Sequence, residues 1–302
     1  MKIGTDQYNT FDTMTMDCWN DRVYYEGKEF PAGQFAAEIL NFAGVIHDPL
    51  LERITVLTAL VDDLSTAEKS KRHDIAAQLK PLLHDTVSWL YTCPPFCYCE
   101  SQSAYEDLEH ALSEERLDRD YEEREEHLPF MALSFCEPIL RILVAIYNFC
   151  LLIRAFEMKY LRGSKQRNAD AFAKAAHECF DEDDSFLILL EQMPFGGVEE
   201  FFSYPRVITG FKYFQDENDE EKWKTAQRVI CKRAIDFYVF DLMNGLHHGH
   251  APSQCQGCGR YFLTTNGHIP KYCDGIAPQD NRYTCRQYGA MKHQKEQNKQ
   301  HP

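Results

Sequence analysis

Four cysteines near the C-terminus have the spacing of metal ligands. Cys255 and Cys258 form a Cys-x2-Cys pair, and Cys273 and Cys285 follow after 14 and 11 intervening residues. Two thiolates that lie this close in sequence can bind one tetrahedral ion from a single turn. Gly259 directly after the pair suits such a turn, because glycine tolerates positive φ. The spacing therefore predicts a zinc site whose ligands are these four cysteines.

Two alternatives remain open at this site. His268 lies between the two halves of the pattern and could replace Cys273 or Cys285 as a ligand. The chain also has 12 cysteines, so some of them will lie near one another by chance as free, buried thiols. Metal binding is favoured because the segment around the first pair has no apolar periodicity that would bury its thiols. The histidines at 247, 248 and 250 are interpreted as linker residues.

The residues around the cysteines predict local structure for the site. Tyr261 and Phe262 favour a short strand, and Asn266-Gly267 is a hairpin signal that would return the chain to Tyr272 and Cys273. Thr284 and Gln287 match a capping box, so Cys285 is expected to begin a helix. A hairpin followed by such a helix indicates a treble-clef-like zinc module, which we place at residues 250–302 with a polar tail.

The same residues resemble a known family. The pattern Cys-x2-Cys-Gly-Arg-Tyr-Phe, then Tyr-Cys, then a cysteine entering a basic helix resembles the C-terminal zinc module of an uncharacterised family of bacterial proteins. It is more loosely similar to the CGNC-type zinc finger that closes ABATE-domain proteins, which are proposed transcriptional regulators. The resemblance covers about residues 250–295 and implies contact with DNA. Basic residues of the module could make contact with nucleic acid or protein: Arg260, Arg282, Arg286, Lys292 and Lys295.

Charge and cysteine content limit the classes of function. The formal net charge is −15, but residues 251–302 carry seven Lys and Arg against three Asp and Glu. That segment is therefore at +4 and the preceding 250 residues are at −19, a balance that disfavours nonspecific nucleic-acid binding by the whole chain. The N-terminus has no export signal pattern. Twelve cysteines without such a signal predict a reducing, cytoplasmic location with thiols used for metal or packing.

The remainder of the chain predicts a mainly α protein. Val23–Phe30 alternates around Glu-Gly like a small hairpin, within an extended segment of residues 1–31. Residues 32–245 read as a helical domain whose most apolar helix, about Phe130–Leu161, is surrounded by the others. Within it, the apolar run 139–153 is too short to span a membrane, and no membrane contact is expected. The last helix of this domain is predicted over 220–244, from Trp223, Ala226 and Ile230 at helical spacing.

Two functional hypotheses follow. The first is a non-enzymatic cytoplasmic regulator or interaction protein with a structural ion, because four thiolates leave no open position for a reactive water. The second is an enzyme whose site lies in the acidic helical domain and uses groups such as His177, Glu178 or Asp181. The motifs GxSxG, GxGxxG, HExxH and the Walker loop are all absent from the sequence. The segment Cys93-Pro-Pro-Phe-Cys97-Tyr-Cys99 is interpreted as a structural loop rather than a second metal or redox site.

Overall fold

The described part of the chain contains both helices and an antiparallel sheet. The computed structural model describes residues 13–43, 49–99, 102–117, 130–164, 166–184, 206–216, 219–265 and 271–300. Of these residues, 57% are helical and 21% lie in strands. The prediction of a mainly α protein is therefore wrong, because the fold mixes helices with a five-stranded antiparallel sheet.

The strands form one large sheet and two small ribbons. In chain order the strands are β1 (Met14–Trp19), β2 (Arg22–Tyr25), β3 (Lys28–Pro31), β4 (Val207–Asp216), β5 (Asp219–Cys231), β6 (Ala251–Gln254), β7 (Tyr261–Thr264), β8 (Ile276–Ala277) and β9 (Asp280–Thr284). The sheet has the order β3-β2-β1-β5-β4, while β6 pairs with β7 and β8 with β9.

The helices lie between and after these strands. In chain order they are α1 (Gln34–Ile39), α2 (Pro49–Thr66), α3 (Lys69–Leu90), α4 (Gln102–Ala111), α5 (Glu114–Leu117), α6 (Phe130–Phe156), α7 (Ala169–Phe180), α8 (Ala234–His247) and α9 (Cys285–Gln300). A 3-10 turn covers Phe96–Tyr98, and a π turn, Glu157–Leu161, extends α6.

Strand β5 overturns the predicted helix over 220–244. The structure divides this segment into β5 and α8. Trp223, Ala226 and Ile230 recur at helical spacing, but β5 lies between β1 and β4 in the sheet. Its pairing is long-range, since Asp17 of β1 opposes Arg228, 211 residues away. A periodicity read within one segment does not reveal a partner at that distance.

Two other predictions are confirmed. The hairpin over Val23–Phe30 is formed by β2 and β3, which pair across Glu26 and Gly27. Helix α6 is central, because it packs against α2, α4, α5 and α8. Its Phe149, Ile153 and Phe156 are fully buried, as an all-round apolar helix requires.

The central helix is also long and apolar enough to cross a membrane. Among the described residues it is the one helix that meets this criterion, over Ala132–Leu161. Length and composition alone do not separate a membrane span from the core helix of a soluble protein. In this structure 61% of its most apolar window is buried by the rest of the chain.

A close crossing of α1 and α8 sets the frame for the C-terminal segment. The carboxylate of Asp241 in α8 accepts hydrogen bonds from the backbone N–H groups of Gly33 and Ala36, both at 2.9 Å. These donors lie at the start of α1, where helical N–H groups have no partner within the helix. At the crossing, a Cβ on Gly245 would lie 2.8 Å from the Cα of Gly33. Only glycine at 245 permits this approach.

Helix α1 and the end of α6 then position the β6–β7 ribbon. The side chain of Asn41 donates to the carbonyl of Tyr261 at 3.0 Å and accepts from its N–H at 2.8 Å. From the other side, Arg162 donates to Gln254 at 2.8 Å. Arg167 donates to the Pro252 carbonyl at 3.3 Å. The ribbon that leads into the first cysteine pair is therefore fixed to the helices by side-chain contacts at both strands.

Candidate metal centre

The first cysteine pair lies in the turn of the β6–β7 ribbon. The N–H of Cys255 donates to the Arg260 carbonyl at 2.9 Å, and the N–H of Gly259 donates to the Cys255 carbonyl at 2.9 Å. Gly259 has φ +75°, a conformation that favours glycine. These bonds fold Cys255 and Cys258 onto the same side of the turn. The role predicted for Gly259 is confirmed.

The predicted partner of the 261–262 strand is wrong. Strand β7 pairs with β6, with Phe262 opposite Ser253, and not with the chain around Tyr272. The Cys-x2-Cys turn is itself the turn of this hairpin, so the strand's neighbour is the segment before the cysteines. The second hairpin signal, Asn266-Gly267, lies outside the described residues.

Cys273 and Cys285 are positioned at the site by different local structures. The N–H of Cys273 donates to the Cys255 sulfur at 3.3 Å. Cys285 is the first residue of α9. The capping box predicted there is confirmed: the N–H of Thr284 donates to the Gln287 side chain at 2.9 Å, and the N–H of Gln287 donates to the Thr284 hydroxyl at 3.2 Å.

The structure brings the four sulfur atoms together. The Sγ atoms of Cys255, Cys258, Cys273 and Cys285 all lie within 4.8 Å of one another. The Cys258 and Cys273 sulfurs are 3.6 Å apart. In a tetrahedral zinc thiolate with Zn–S bonds of about 2.3 Å, neighbouring sulfurs are about 3.8 Å apart. The donor set and its spacing therefore fit one metal ion with four thiolate ligands.

Hydrogen bonds favour a thiolate at one of the four positions. Burial opposes ionisation of Cys255, but N–H donation from Cys273, Cys258 and Gly257 lowers its pKa to about 7. By contrast, burial and the neighbouring sulfurs of Cys255 and Cys258 raise the pKa of Cys273 to about 11. The same causes raise the pKa of Cys285. A divalent cation would reverse this repulsion and stabilise all four thiolates.

Among its described residues, the module buries few apolar side chains apart from the thiols. Its cluster of buried residues consists of Cys255, Cys273, Cys285 and Ala277. Partly buried neighbours complete the cluster: Cys258, Phe262, Tyr272 and Tyr288. So small a cluster does not stabilise a fold by burial alone, and a metal is the usual substitute.

The five basic residues predicted to contact a partner have different environments. Arg282 forms a two-pronged ion pair with Asp280, at 2.9 and 2.7 Å, and Arg286 lies 3.1 Å from Asp274. Lys292 and Lys295 are exposed on α9 beyond its packed first turns. Arg260 is exposed and lines a cleft beside the helices. Two of the five cations are thus already paired with carboxylates of the module.

The residues of the enzyme hypothesis lie on the surface. His177 is 59% exposed and contacts Asp181 at 2.8 Å and Glu182 at 3.2 Å. Glu178 pairs with Lys174 at 3.5 Å, at the edge of an open depression. These are ion pairs along and beyond the end of α7, a pattern typical of a solvated helix. Within the part of the chain that the structure describes, the thiol cluster is the one group of His, Cys, Asp or Glu with metal-site geometry.

Among the described residues, the remaining candidate ligands do not join the centre. Among the upstream histidines, His250 is buried and its Nδ1 lies 2.9 Å from the Ala32 carbonyl. His268 lies outside the described residues. In the other cysteine-rich segment Cys99 contacts the Tyr25 hydroxyl at 3.2 Å and Cys93 is buried. That segment serves packing around the 3-10 turn.

Sequence reasoning missed a cleft between the turn that carries Cys255 and Cys258 and the helices. The cleft has a volume of about 700 Å³ and is lined by Glu38, Cys97, Arg154, Arg260 and Tyr261, among others. Its walls come from α1, the 3-10 turn, α6 and the Cys258–Tyr261 segment. No sequence signal would have found it, because these segments are far apart in the chain.

Comparison with known proteins finds that the C-terminal third is similar to a family of unknown function. The model of that family, DUF6076, matches residues 203–302. The matched region contains all four cysteines together with β4, β5 and α8. No similarity to ABATE-domain proteins is found. No curated protein and no solved structure matches the chain.

Proposed function

We propose that the four cysteines hold one structural Zn²⁺ and that the protein is a non-enzymatic regulator or interaction protein. The observation that carries this proposal is the sulfur cluster itself, with four thiols within 4.8 Å of one another. Four thiolates complete a tetrahedral shell, so the ion has no open position for a substrate or an activated water. Its role is to hold the turn after β6, the Cys273 segment and the start of α9 together.

The surface that this ion would support is the outer part of α9. Cys285 and the capping box fix the first turn of the helix, and α9 packs on β8 and β9. Beyond these turns Lys292 and Lys295 are exposed. An acidic partner would complement this surface, either nucleic acid or an acidic patch of another protein. The −19 charge of the first 250 residues opposes the first of these partners at low salt.

A reducing compartment such as the cytoplasm suits this role. All 12 cysteines are free thiols in the structure. Oxidation would remove the thiolates that the ion requires.

Metal analysis tests the first part of the proposal. The purified full chain is expected to hold about one zinc per chain by plasma emission. Replacing one ligand, Cys273→Ser, is expected to lower zinc affinity by at least tenfold in a chelator competition. Cys97→Ser is the matched control, because Cys97 lies outside the cluster and should leave zinc content unchanged. A folded wild-type chain without stoichiometric metal would refute the structural zinc.

Titration with labelled DNA and RNA tests the second part. If Arg260, Lys292 and Lys295 each contacted one phosphate of duplex DNA, log Kd would depend on log salt with a slope magnitude of about 2.7. The double variant Lys292→Glu/Lys295→Glu should then lose most of the binding. Lys71→Glu/Lys174→Glu makes the same change of charge on other helices and should not. No binding at low salt would remove nucleic acid and leave a protein partner.

A further inference from the structure

Strands β4 and β5 extend beyond the rest of the sheet as a two-stranded ribbon. Pairing of β1 with β5 ends at Cys18 opposite Gln227, whereas β4 and β5 continue to pair as far as Gln215 opposite Trp223. Near its base the ribbon covers the core, and Val229 and Cys231 are fully buried there. The outer half of the ribbon therefore extends past the core.

One face of this outer half carries three exposed aromatic rings. Phe211 is 72% exposed, and Tyr213 and Trp223 are both 66% exposed. In the register, Phe211 opposes Gln227, Tyr213 opposes Thr225 and Gln215 opposes Trp223. Directly opposed residues share a face and side chains alternate along a strand, so all three rings lie on the face that is buried at the base. Thr225 and Gln227 beside them are exposed and uncharged.

On the opposite face, the outer half of the ribbon is in contact with β1 and β2. Asp17 lies 3.2 Å from Lys212 and 2.8 Å from Arg228. The ring of Phe214 lies 5.9 Å from that of Tyr24. The amine of Lys224 lies 4.3 Å from the centre of the Trp19 ring. Such contacts within the described structure are found on this face and not around the three exposed rings.

The edge of the ribbon is open to another strand. Strand β4 is the last strand of the sheet, so its outer N–H and C=O groups have no strand beside them among the described residues. Sheets usually protect such an edge with proline, a bulge or several charges. Strand β4 has no proline, its register shift lies at its end, between Gln215 and Asp216, and its one lysine pairs with Asp17.

The charges near the two ends of β4 are of opposite sign. Sequence 216–222, where β4 ends and β5 begins, contains five acidic residues and one lysine. At the other end Lys232 is exposed. Two copies of β4 that run antiparallel about a twofold axis would bring the acidic end of each strand near the basic end of the other. The ribbon is thus electrostatically complementary to itself.

We propose that this surface is a homodimer interface, in which two copies of the chain pair β4 with β4 and bring the rings of Phe211, Tyr213 and Trp223 of both copies side by side on one face of a continuous sheet. The absence of charged groups from the centre of the face suits an isologous contact, because like charges would otherwise meet at the axis. Rings that lie side by side cover one another only in part, so the six rings of a dimer would bury at most on the order of 800 Å², about half of a standard interface. Pairing of the strand edges and of the charged ends would contribute further area.

The oligomeric state of the full, zinc-loaded chain tests the proposal. Analytical ultracentrifugation from about 1 μM to about 100 μM brackets a micromolar Kd. The expected species has twice the 35.2 kDa mass of one chain. Phe211→Glu/Tyr213→Glu should raise the dimer Kd at least tenfold, and Lys232→Glu should raise it severalfold. Val56→Glu, at an exposed apolar position on α2, is the control and should leave the dimer unchanged.

Hydrogen exchange distinguishes this interface from a contact elsewhere on the surface. The outward-facing amides of β4, which do not bond to β5, should be protected in the wild-type dimer and should exchange faster in Phe211→Glu/Tyr213→Glu. A wild-type chain that stays monomeric over the whole range overturns the proposal, and protection of these amides in that monomer would show that another part of the same chain covers this edge. A dimer that persists in Phe211→Glu/Tyr213→Glu overturns it equally, because the two copies would then meet through a different surface.

Discussion

At the scale of single residues, two kinds of buried polar group organise the described structure. Thiols converge at the metal centre, where N–H donation lowers the pKa of Cys255 despite its burial. Carboxylates lie at helix starts: Asp236 is fully buried and pairs with Arg233 at 2.6 Å. Asp241 is also fully buried, but its hydrogen bonds come from backbone N–H groups of α1. The donors in these hydrogen bonds are neutral, so no cation balances a negative charge on Asp241. The protonation state of its carboxyl group therefore affects the stability of the fold.

Asp241 predicts a pH dependence of stability. Burial raises its pKa from 3.8 to about 7, although N–H donation from Ala36 and Gly33 opposes the shift. A folded-state pKa above the unfolded value stabilises the fold below about pH 4, and this stabilisation is lost as the pH rises toward 7. The loss is at most about 1.4 kcal/mol per pH unit. Relative to wild type, Asp241→Asn should therefore become progressively more stable between about pH 4 and pH 7.

Urea unfolding of the wild type and of Asp241→Asn at several pH values, with zinc present throughout, measures this difference in stability. The metal centre is common to both chains, so its own pH dependence cancels. Parallel curves for the two chains would mean that Asp241 stays ionised in the folded protein. Asp241→Ala provides a second comparison, because it leaves two buried N–H groups without acceptors at a cost of about 2–6 kcal/mol.

At the scale of elements, contacts between α1 and α8 connect the core to the candidate metal centre. Helix α8 packs on α6 and holds the start of α1, and Asn41 just after α1 holds the β6–β7 ribbon. Helix α1 has only six residues, too few to be stable alone, so its position depends on these contacts. The crossing at Gly33 and Gly245 is the tightest of them.

Gly245→Ala is expected to destabilise the protein through this crossing. The added methyl group would lie 2.8 Å from the Cα of Gly33 and 3.0 Å from the Ala32 carbonyl oxygen, and backbone atoms there have little freedom to move. Overpacking of this kind costs about 1–3 kcal/mol, although alanine gains about 1 kcal/mol in helix propensity. Gly163→Ala is the control, since its methyl group would meet no atom within 4 Å. A higher urea midpoint for Gly245→Ala, which helix propensity alone would give, would contradict the close crossing.

At the scale of the whole molecule, the two regions of the chain differ in what holds them together. The large cluster of buried residues runs from Met14 to Ala251 and includes buried residues of the central helix from Ala132 to Phe156. The C-terminal cluster is separate and consists mainly of thiols. The two also differ in formal charge, with −19 before residue 251 and +4 after it. The stability of the second region should therefore depend on metal, and that of the first should not.

Removal of metal is expected to loosen the C-terminal module and leave the core folded. After treatment with a strong chelator, amide exchange should speed up at the cysteine turn and in α9, while α6 stays protected. Most of the helical circular dichroism signal should remain, because α9 contributes only 16 residues and the other helices lie outside the module. Restoring zinc should restore protection. Loss of protection throughout α6 would show that the module and the core unfold as one unit.

The sequence by itself determined the features that depend on neighbours in the chain. The ligand spacing identified four thiols that the structure brings together, and the pattern of Thr284 and Gln287 identified a capping box that the structure contains. The hairpin of β2 and β3 and the burial of α6 also followed from local patterns. In each case the decisive interaction joins residues of one short segment, or one face of one helix, and its energy does not require knowledge of distant chain.

Only the tertiary structure decided the fold class, the strand partners and the position of the metal module. The apolar spacing of β5 fits a helix as well as a strand, and pairing with β1, 211 residues away, decides between them. Strand β7 likewise pairs with the segment before the cysteines. The bonds from Asp241 to α1 and from Arg162 and Arg167 to the β6–β7 ribbon also cross long stretches of sequence. Register and docking depend on the complementarity of surfaces that exist only after folding, because propensity within one segment is weaker than the packing that surrounds it.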